Sequence, residues 1–201
     1  MTRTYLPGIL AMAAIVVASN ILVQFTVADW LTWGAFTYPL AFLVTDVMNR
    51  VHGPRAALRV VVAGFVVGVI CSLIAAQMDA TTLRIAVASG AAFLTAQLVD
   101  IAVFDALRGG RWWRAPLAST LVGSALDTAL FFGIAFAAVL PHDINTGWSS
   151  EAVPLLGQGP VTALWVSLAV ADWLVKLCLA ILALVPFRLI VRNLLGDARE
   201  S

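Results

Sequence analysis

Apolar runs of membrane-spanning length follow one another along this chain, separated by short polar segments rich in arginine, glycine and proline. Six of them read as helices: Pro7 to Ala28, Trp33 to Met48, Leu58 to Met78, Ile85 to Leu107, Pro116 to Leu140 and Val161 to Phe187. The first follows Arg3 and outruns the apolar core of a signal peptide, with no clear cleavage pattern, so it is read as a span. The second is short and holds Pro39, which lacks a backbone donor and bends or interrupts a helix unless its neighbours compensate. One connection is long, His142 to Gly159, where Gly147, Pro154, Gly157 and Gly159 break any regular helix.

The expected fold is an all-α membrane protein, a bundle of six transmembrane helices with N and C termini cytoplasmic. Residues 1–195 form its single transmembrane domain and residues 196–201 a short cytoplasmic tail. Orientation comes from arginine. Arg3, then Arg50, Arg55 and Arg59, then Arg108, Arg111 and Arg114, then Arg188, Arg192 and Arg199 fall on one side of six spans, leaving Arg84 alone on the other with Asp29, Asp79, Asp143 and Glu151. By the positive-inside rule the arginine-rich side is the cytoplasm. Trp112 and Trp113, between Arg111 and Arg114, suit an interfacial belt, where an indole buries its ring and hydrates its N–H.

Composition agrees: 62% of the 201 residues are hydrophobic and 11% are charged, outside the usual range of soluble domains. The net charge of +1 points to no nucleic-acid partner. Cys71 and Cys178 lie in apolar runs without metal-ligand spacing, so neither a disulfide nor a metal is expected.

Five ionisable residues lie within the spans: Asp46, Asp100, Asp127, Asp172 and Lys176. Each costs at least ~2.5 kcal/mol near a bilayer centre, so such residues face the protein interior, pair, or line a path. By helical rise Asp127 and Asp172 fall near mid-membrane, and Asp46, Asp100 and Lys176 nearer the cytoplasmic side, so that one polar cavity could hold all five. Asp172 and Lys176 are four apart and can pair on one helix face. Asp127 has no basic residue within a turn and must find donors elsewhere. Asp46 and Asp100 can pair with the cytoplasmic arginines, and Asp105 sits beside Arg108. Asn20, Gln24 and Gln97 add amides that either bond across helices or touch substrate, and Gln97 shares a helix face with Asp100.

Catalytic patterns are poor. His52 and His142 are both outside the spans, which leaves no buried Ser-His dyad or haem ligand. Gly123, Ser124 and Asp127 have a superficial likeness to intramembrane aspartate proteases, but the setting of a proton-sharing aspartate pair is not recognisable. No catalytic residue, cofactor or metal is assigned.

Several blocks resemble one family. TWGAFTYPLAFLVTDVMNR at Thr32 to Arg50, followed by Gly53, is similar to the hallmark segment of the queuosine precursor transporters, a vitamin uptake transporter group. SNILVQ at Ser19 to Gln24, the blocks AQLVDIAVFDALR and RWWRAPLASTLVGSALDTALFFGIAF from Ala96 to Phe136, and ADWLVKL at Ala171 to Leu177 agree with it. The chain resembles the proteobacterial branch, with Asn49, Arg50 and His52 where many relatives carry a glutamate and a tyrosine. The resemblance implies a multi-pass protein of the bacterial inner membrane that imports 7-cyano-7-deazaguanine or 7-aminomethyl-7-deazaguanine for tRNA queuosine. Its partners would be that small molecule and the lipid bilayer, with a homodimer left open.

On that reading Asp127 or Asp172 accepts both hydrogen bonds of the guanine edge, while Asp46 and Asp100 complete the polar wall. Lys176 balances charge or meets the carbonyl oxygen of the base. Phe36, Tyr38, Phe104, Phe131 or Trp173 offers a stacking surface. Two rivals stand beside it: a substrate-capture subunit of an energy-coupling ATPase transporter, docking through Ala14 and Ala18, and an intramembrane enzyme.

Overall fold

The computed structural model describes residues 5–23, 25–28, 31–137 and 147–200. Within them the chain forms helices α1 (Leu6–Leu22), α2 (Gly34–Thr37), α3 (Leu40–His52), α4 (Pro54–Gln77), α5 (Leu83–Leu107), α6 (Arg114–Phe136) and α7 (Leu164–Glu200). Two small antiparallel hairpins accompany them: β1 (Thr26–Ala28) with β2 (Leu31–Thr32), and β3 (Ala152–Pro154) with β4 (Val161–Ala163).

The expectation of six transmembrane helices is overturned. Among the described residues four helices, α4, α5, α6 and α7 as far as Gly196, are long and apolar enough to cross a membrane. The first apolar run makes a helix of only 17 residues, because the chain leaves the helix after Leu22 and ends the run as strand β1. Pro39 divides the second run into the 4-residue α2 and the 13-residue α3. At 1.5 Å per residue α3 is about 20 Å long, well short of a hydrocarbon core of about 30 Å.

The remaining boundaries follow local chemistry. α3 stops at Gly53, whose φ of 86° is left-handed and suits a residue without a Cβ, and Pro54 opens α4 where no backbone donor is needed. Thr82 caps α5, its Oγ1 accepting from the Ile85 N–H at 3.2 Å. Within the long connection, β3 and β4 close a hairpin that leads straight into α7, and α7 continues through Pro186.

α4 and α7 are apolar on their outward faces as well, exposing Val62, Val66, Ile70, Leu182 and Val185. An apolar surface of that extent suits lipid rather than water. The interior differs from the outside. α6 buries Ser119, Thr120, Gly123, Ser124, Asp127 and Thr128 along one face, a small and polar stripe that lets helices approach closely. α5 packs on α6 more extensively than any other pair of elements.

The arginine-rich segments meet at one end of the bundle. Arg50 Nη1 donates to the Arg108 carbonyl at 2.9 Å, Arg188 lies over the Trp112 ring at 4.7 Å, and Arg59 lies over Tyr5 at 5.5 Å. Arg84, near the opposite end of α5, donates to the carbonyls of Ile134 and Ala137 at 2.7 and 2.9 Å, at the far end of α6.

Candidate functional site

Asp127, Lys176 and Asp172 converge in the middle of the bundle. Lys176 Nζ lies 2.7 Å from Asp127 Oδ2 on α6 and 2.5 Å from Asp172 Oδ2, one turn before it on α7. It donates also to Thr128 Oγ1 at 3.0 Å, so all three ammonium hydrogens have acceptors. Thr128 in turn donates to Asp172 Oδ2 at 2.9 Å. Among the described residues Asp127 Oδ1 receives only the Tyr38 hydroxyl, at 3.3 Å, and Lys176 sits 5.7 Å from the centre of the Tyr38 ring. Two carboxylates around one ammonium leave a formal charge of −1. Asp127 and Lys176 are 3% and 5% exposed and Asp172 is partly buried, so most of the cluster is held away from water.

Each helix supplies its residue for a local reason. The i, i+4 spacing stacks Asp172 and Lys176 on one face of α7. Asp127 and Thr128 close the polar stripe of α6, and Tyr38 lies at the break before Pro39, where α2 gives way to α3. Asp127 is 13 residues past Arg114 and 9 before Phe136, which puts it about 20 Å from one end of α6 and about 14 Å from the other.

Asp46 and Asp100 form a second cluster nearer the arginine end. Ser119 and Thr120 donate to the two oxygens of Asp46 at 3.0 and 3.2 Å. Since Ser119 precedes Asp127 by eight residues on α6, the two clusters are about 12 Å apart along that helix. The five intramembrane charges are thus sorted into two groups rather than gathered in one cavity. Neither Asp46 nor Asp100 pairs with an arginine: Arg50 and Arg108 turn to each other's backbone and lie over Phe104, 5.3 and 5.8 Å from its ring centre. Asp105 bonds Arg108 at 2.9 Å.

The other candidates are dispersed. Gln97 accepts from Thr45 Oγ1 at 2.6 Å. Asn20 donates to the Val16 carbonyl at 2.9 Å and lines a small cleft that also reaches Tyr38, Ser72, Ser89 and Phe93. Phe104 packs edge-on against Phe187, Phe131 packs against Phe132 and Phe136, Phe36 lies near Trp33, and Trp173 is partly exposed on α7. Gln24 and His142 lie outside the described residues. Ser119, Thr120, Thr128 and Thr45 were not singled out as site residues. For Ser119, Thr120 and Thr128 the signal lies in α6, where hydroxyls recur every three or four residues on the face that carries Asp127, whereas Thr45 stands on α3.

A lipid-facing apolar bundle around a hydrogen-bonded ionic interior defines a multi-pass membrane protein. A family described as "Putative vitamin uptake transporter" matches residues 32–191. The chain is 31% identical over 200 residues to the "Queuosine precursor transporter" of Escherichia coli (strain K12), covering 90% of this chain and 83% of that one. It is 32% identical over 180 residues to the "Probable queuosine precursor transporter" of Haemophilus influenzae, covering 82% of this chain and 69% of the relative. A "Probable queuosine precursor transporter" of Bacillus subtilis is 23% identical over 194 residues, 85% of this chain and 76% of that one. The chain belongs to this family of transporters. No solved structure matches it. Among the described residues no group of three or more His, Cys, Asp or Glu side chains is placed to hold a metal.

Proposed function

We propose that this protein imports the 7-deazaguanine precursors of queuosine, the 7-cyano and 7-aminomethyl bases, across the bacterial cytoplasmic membrane, and recognises them at the Asp127–Lys176–Asp172 cluster. The observation that carries the reading is the buried −1 charge held there, in a family whose relatives are described as carrying queuosine precursors. A deazaguanine presents a ring N–H beside an exocyclic amine, and a carboxylate accepts both at once.

Asp127 is the better acceptor of the two. Its Oδ1 is held only by the long bond from Tyr38, so a ligand donor displaces little there, whereas Lys176 keeps Oδ2 in place. Tyr38 adds an aromatic face beside the carboxylate, a surface on which a flat base stacks. Asp172 and Thr128 orient Lys176, and the break at Pro39 gives the segment bearing Tyr38 freedom to move as the site fills.

The test is queuosine in tRNA from cells unable to make the base and lacking their own importer, with this gene supplied and precursor limiting. Restored queuosine with wild type and none with Asp127→Asn, both shown to be inserted in the membrane, is the expected result. Equal restoration by Asp127→Asn removes that carboxylate from recognition, and no restoration by wild type removes the substrate.

A further inference from the structure

The second cluster has a composition that recognition of a base does not require. Asp46 and Asp100 are set opposite each other by two contacts that fix the register of α3 against α5: Thr45 with Gln97 at 2.6 Å, and Asn49 Nδ2 donating to the Ile101 carbonyl at 3.1 Å. That register brings the two carboxyl groups within electrostatic reach of each other, beside Ser119, which donates to Asp46 at 3.0 Å. Asp46 is 3% exposed and Asp100 fully buried. Both serine and threonine donors go to Asp46, and neither oxygen of Asp100 receives a hydrogen bond from the protein. One turn earlier on α5, Gln97 Nε2 is also buried without a partner. A narrow cleft between α3, α6 and α7 ends on Asp46 and Thr120.

Among the described residues no cation forms an ion pair with Asp46 or Asp100. On α3, Arg50 acts on Asp46 through space, yet its guanidinium bonds the Arg108 carbonyl and lies over Phe104, and His52 stacks on Tyr5 beside α1. On α5, Arg108 bonds Asp105, Asn49 and the Arg50 carbonyl. On α7, Lys176 is held by Asp127 and Asp172, and Arg188 lies over Trp112. Arg55 and Arg59 of α4 and Arg114 of α6 are exposed at the bundle end. Two neighbouring buried carboxylates with no ion-paired cation repel strongly unless a proton lies between them. A carboxylic O–H also supplies the one donor that the oxygens of Asp100 lack.

We propose that Asp46 and Asp100 are a proton-carrying pair that couples transport to the proton gradient. This rests on the transport function proposed above. A proton from water on one side forms an O–H bond with one carboxylate, which donates to the other. On the opposite-facing state that bond breaks and the proton leaves to water. The link to substrate is α6, which carries the Asp46 donors Ser119 and Thr120 and, two turns on, Asp127 and Thr128. Movement of α6 as Asp127 is occupied changes the hydrogen bonding of the pair.

The experiment uses the purified full chain in liposomes with 7-cyano-7-deazaguanine, which is neutral, and the membrane potential clamped. Exchange across the membrane without a gradient reports transport alone. An imposed gradient of about one pH unit should drive about tenfold accumulation by wild type if one proton accompanies each substrate. Asp100→Asn should keep exchange and lose accumulation. Infrared difference spectra after a pH jump, recorded without substrate, should show the C=O band of a protonated carboxylic acid in wild type, shifted in Asp100→Glu and lost in Asp100→Asn. Exchange without pH-driven accumulation in wild type overturns the inference, as does a carboxylic band unchanged in both variants. Absence of exchange in wild type defeats the proposed substrate instead, and the infrared result then decides the proton pair by itself.

Discussion

Arg50 and Arg108 each donate to the other's backbone carbonyl, at 2.9 and 3.4 Å, although both are cations. The Phe104 ring beneath both guanidinium groups and the Asn49 amide oxygen, 2.5 Å from Arg108 Nη2, offset their repulsion. The clasp ties the end of α3 to the end of α5. Arg108→Ala leaves the Arg50 carbonyl and the Asn49 oxygen without their donor, and should cost about 2 kcal/mol. Arg108→Lys, which lacks the planar fork, should recover less than half of that. Thermal unfolding in detergent measures both, and equal melting of all three proteins would dismiss the clasp.

Lys176 is the cation between buried Asp127 and partly buried Asp172. Lys176→Met should destabilise by about 3–5 kcal/mol, the scale for removing one partner of a buried ion pair. Lys176→Met combined with Asp127→Asn should recover part of that loss, because one stranded charge is removed with its partner. Denaturation of the single and double variants provides the cycle, and strict additivity would show that the two side chains do not interact.

Tyr38→Phe deletes only the hydroxyl on Asp127 Oδ1. A bond of 3.3 Å contributes little to stability, so unfolding should shift by less than about 1 kcal/mol. On the proposed reading, precursor uptake should change several-fold through KM, since the hydroxyl competes for the acceptor that the base uses. Unaltered uptake kinetics would place Tyr38 outside recognition.

Gly123 marks a close approach of α6 to its neighbours. A Cβ there would lie 2.8 Å from Phe42 Cε1, 3.3 Å from the Ala96 carbonyl oxygen and 3.4 Å from Asp100 Cβ, whereas a Cβ at Gly133 would meet nothing within 4 Å. Gly123→Ala should therefore destabilise by about 1–3 kcal/mol through overpacking. Gly133→Ala should stabilise by about 0.5–1 kcal/mol, the helix preference of alanine over glycine. Melting temperatures that move in the same direction for both would refute the close packing at Gly123.

What the sequence discloses here is mainly local. Hydropathy places α4 and α5 within a few residues, and i, i+3 or i, i+4 spacing finds Asp105 with Arg108 and Asp172 with Lys176. It does not distinguish an apolar helix from an apolar hairpin, so the run through Ala28 reads as one span although Thr26–Ala28 is strand. Pro39 flags an interruption but not its extent, since whether neighbours compensate a missing donor depends on packing. The partners of Asp127 and Asp46 come from other helices, and no spacing along one helix encodes how far another is rotated or slid against it. Lys176, Tyr38, Ser119 and Thr120 are found opposite those carboxylates only in three dimensions.

The surplus negative charge around Lys176 has a consequence for what a cell keeps. Its guanine-like compounds are mostly phosphorylated nucleotides, which show the same hydrogen-bonding edge as a free deazaguanine. An anion that approaches two carboxylates already sharing one ammonium finds no spare cation to receive its phosphates, because every hydrogen on Lys176 has an acceptor. In a route that passes this point, a neutral or positively charged base is admitted while nucleotides are repelled. On the proposed function, a protein built this way would scavenge bases without becoming a leak for the nucleotide pool.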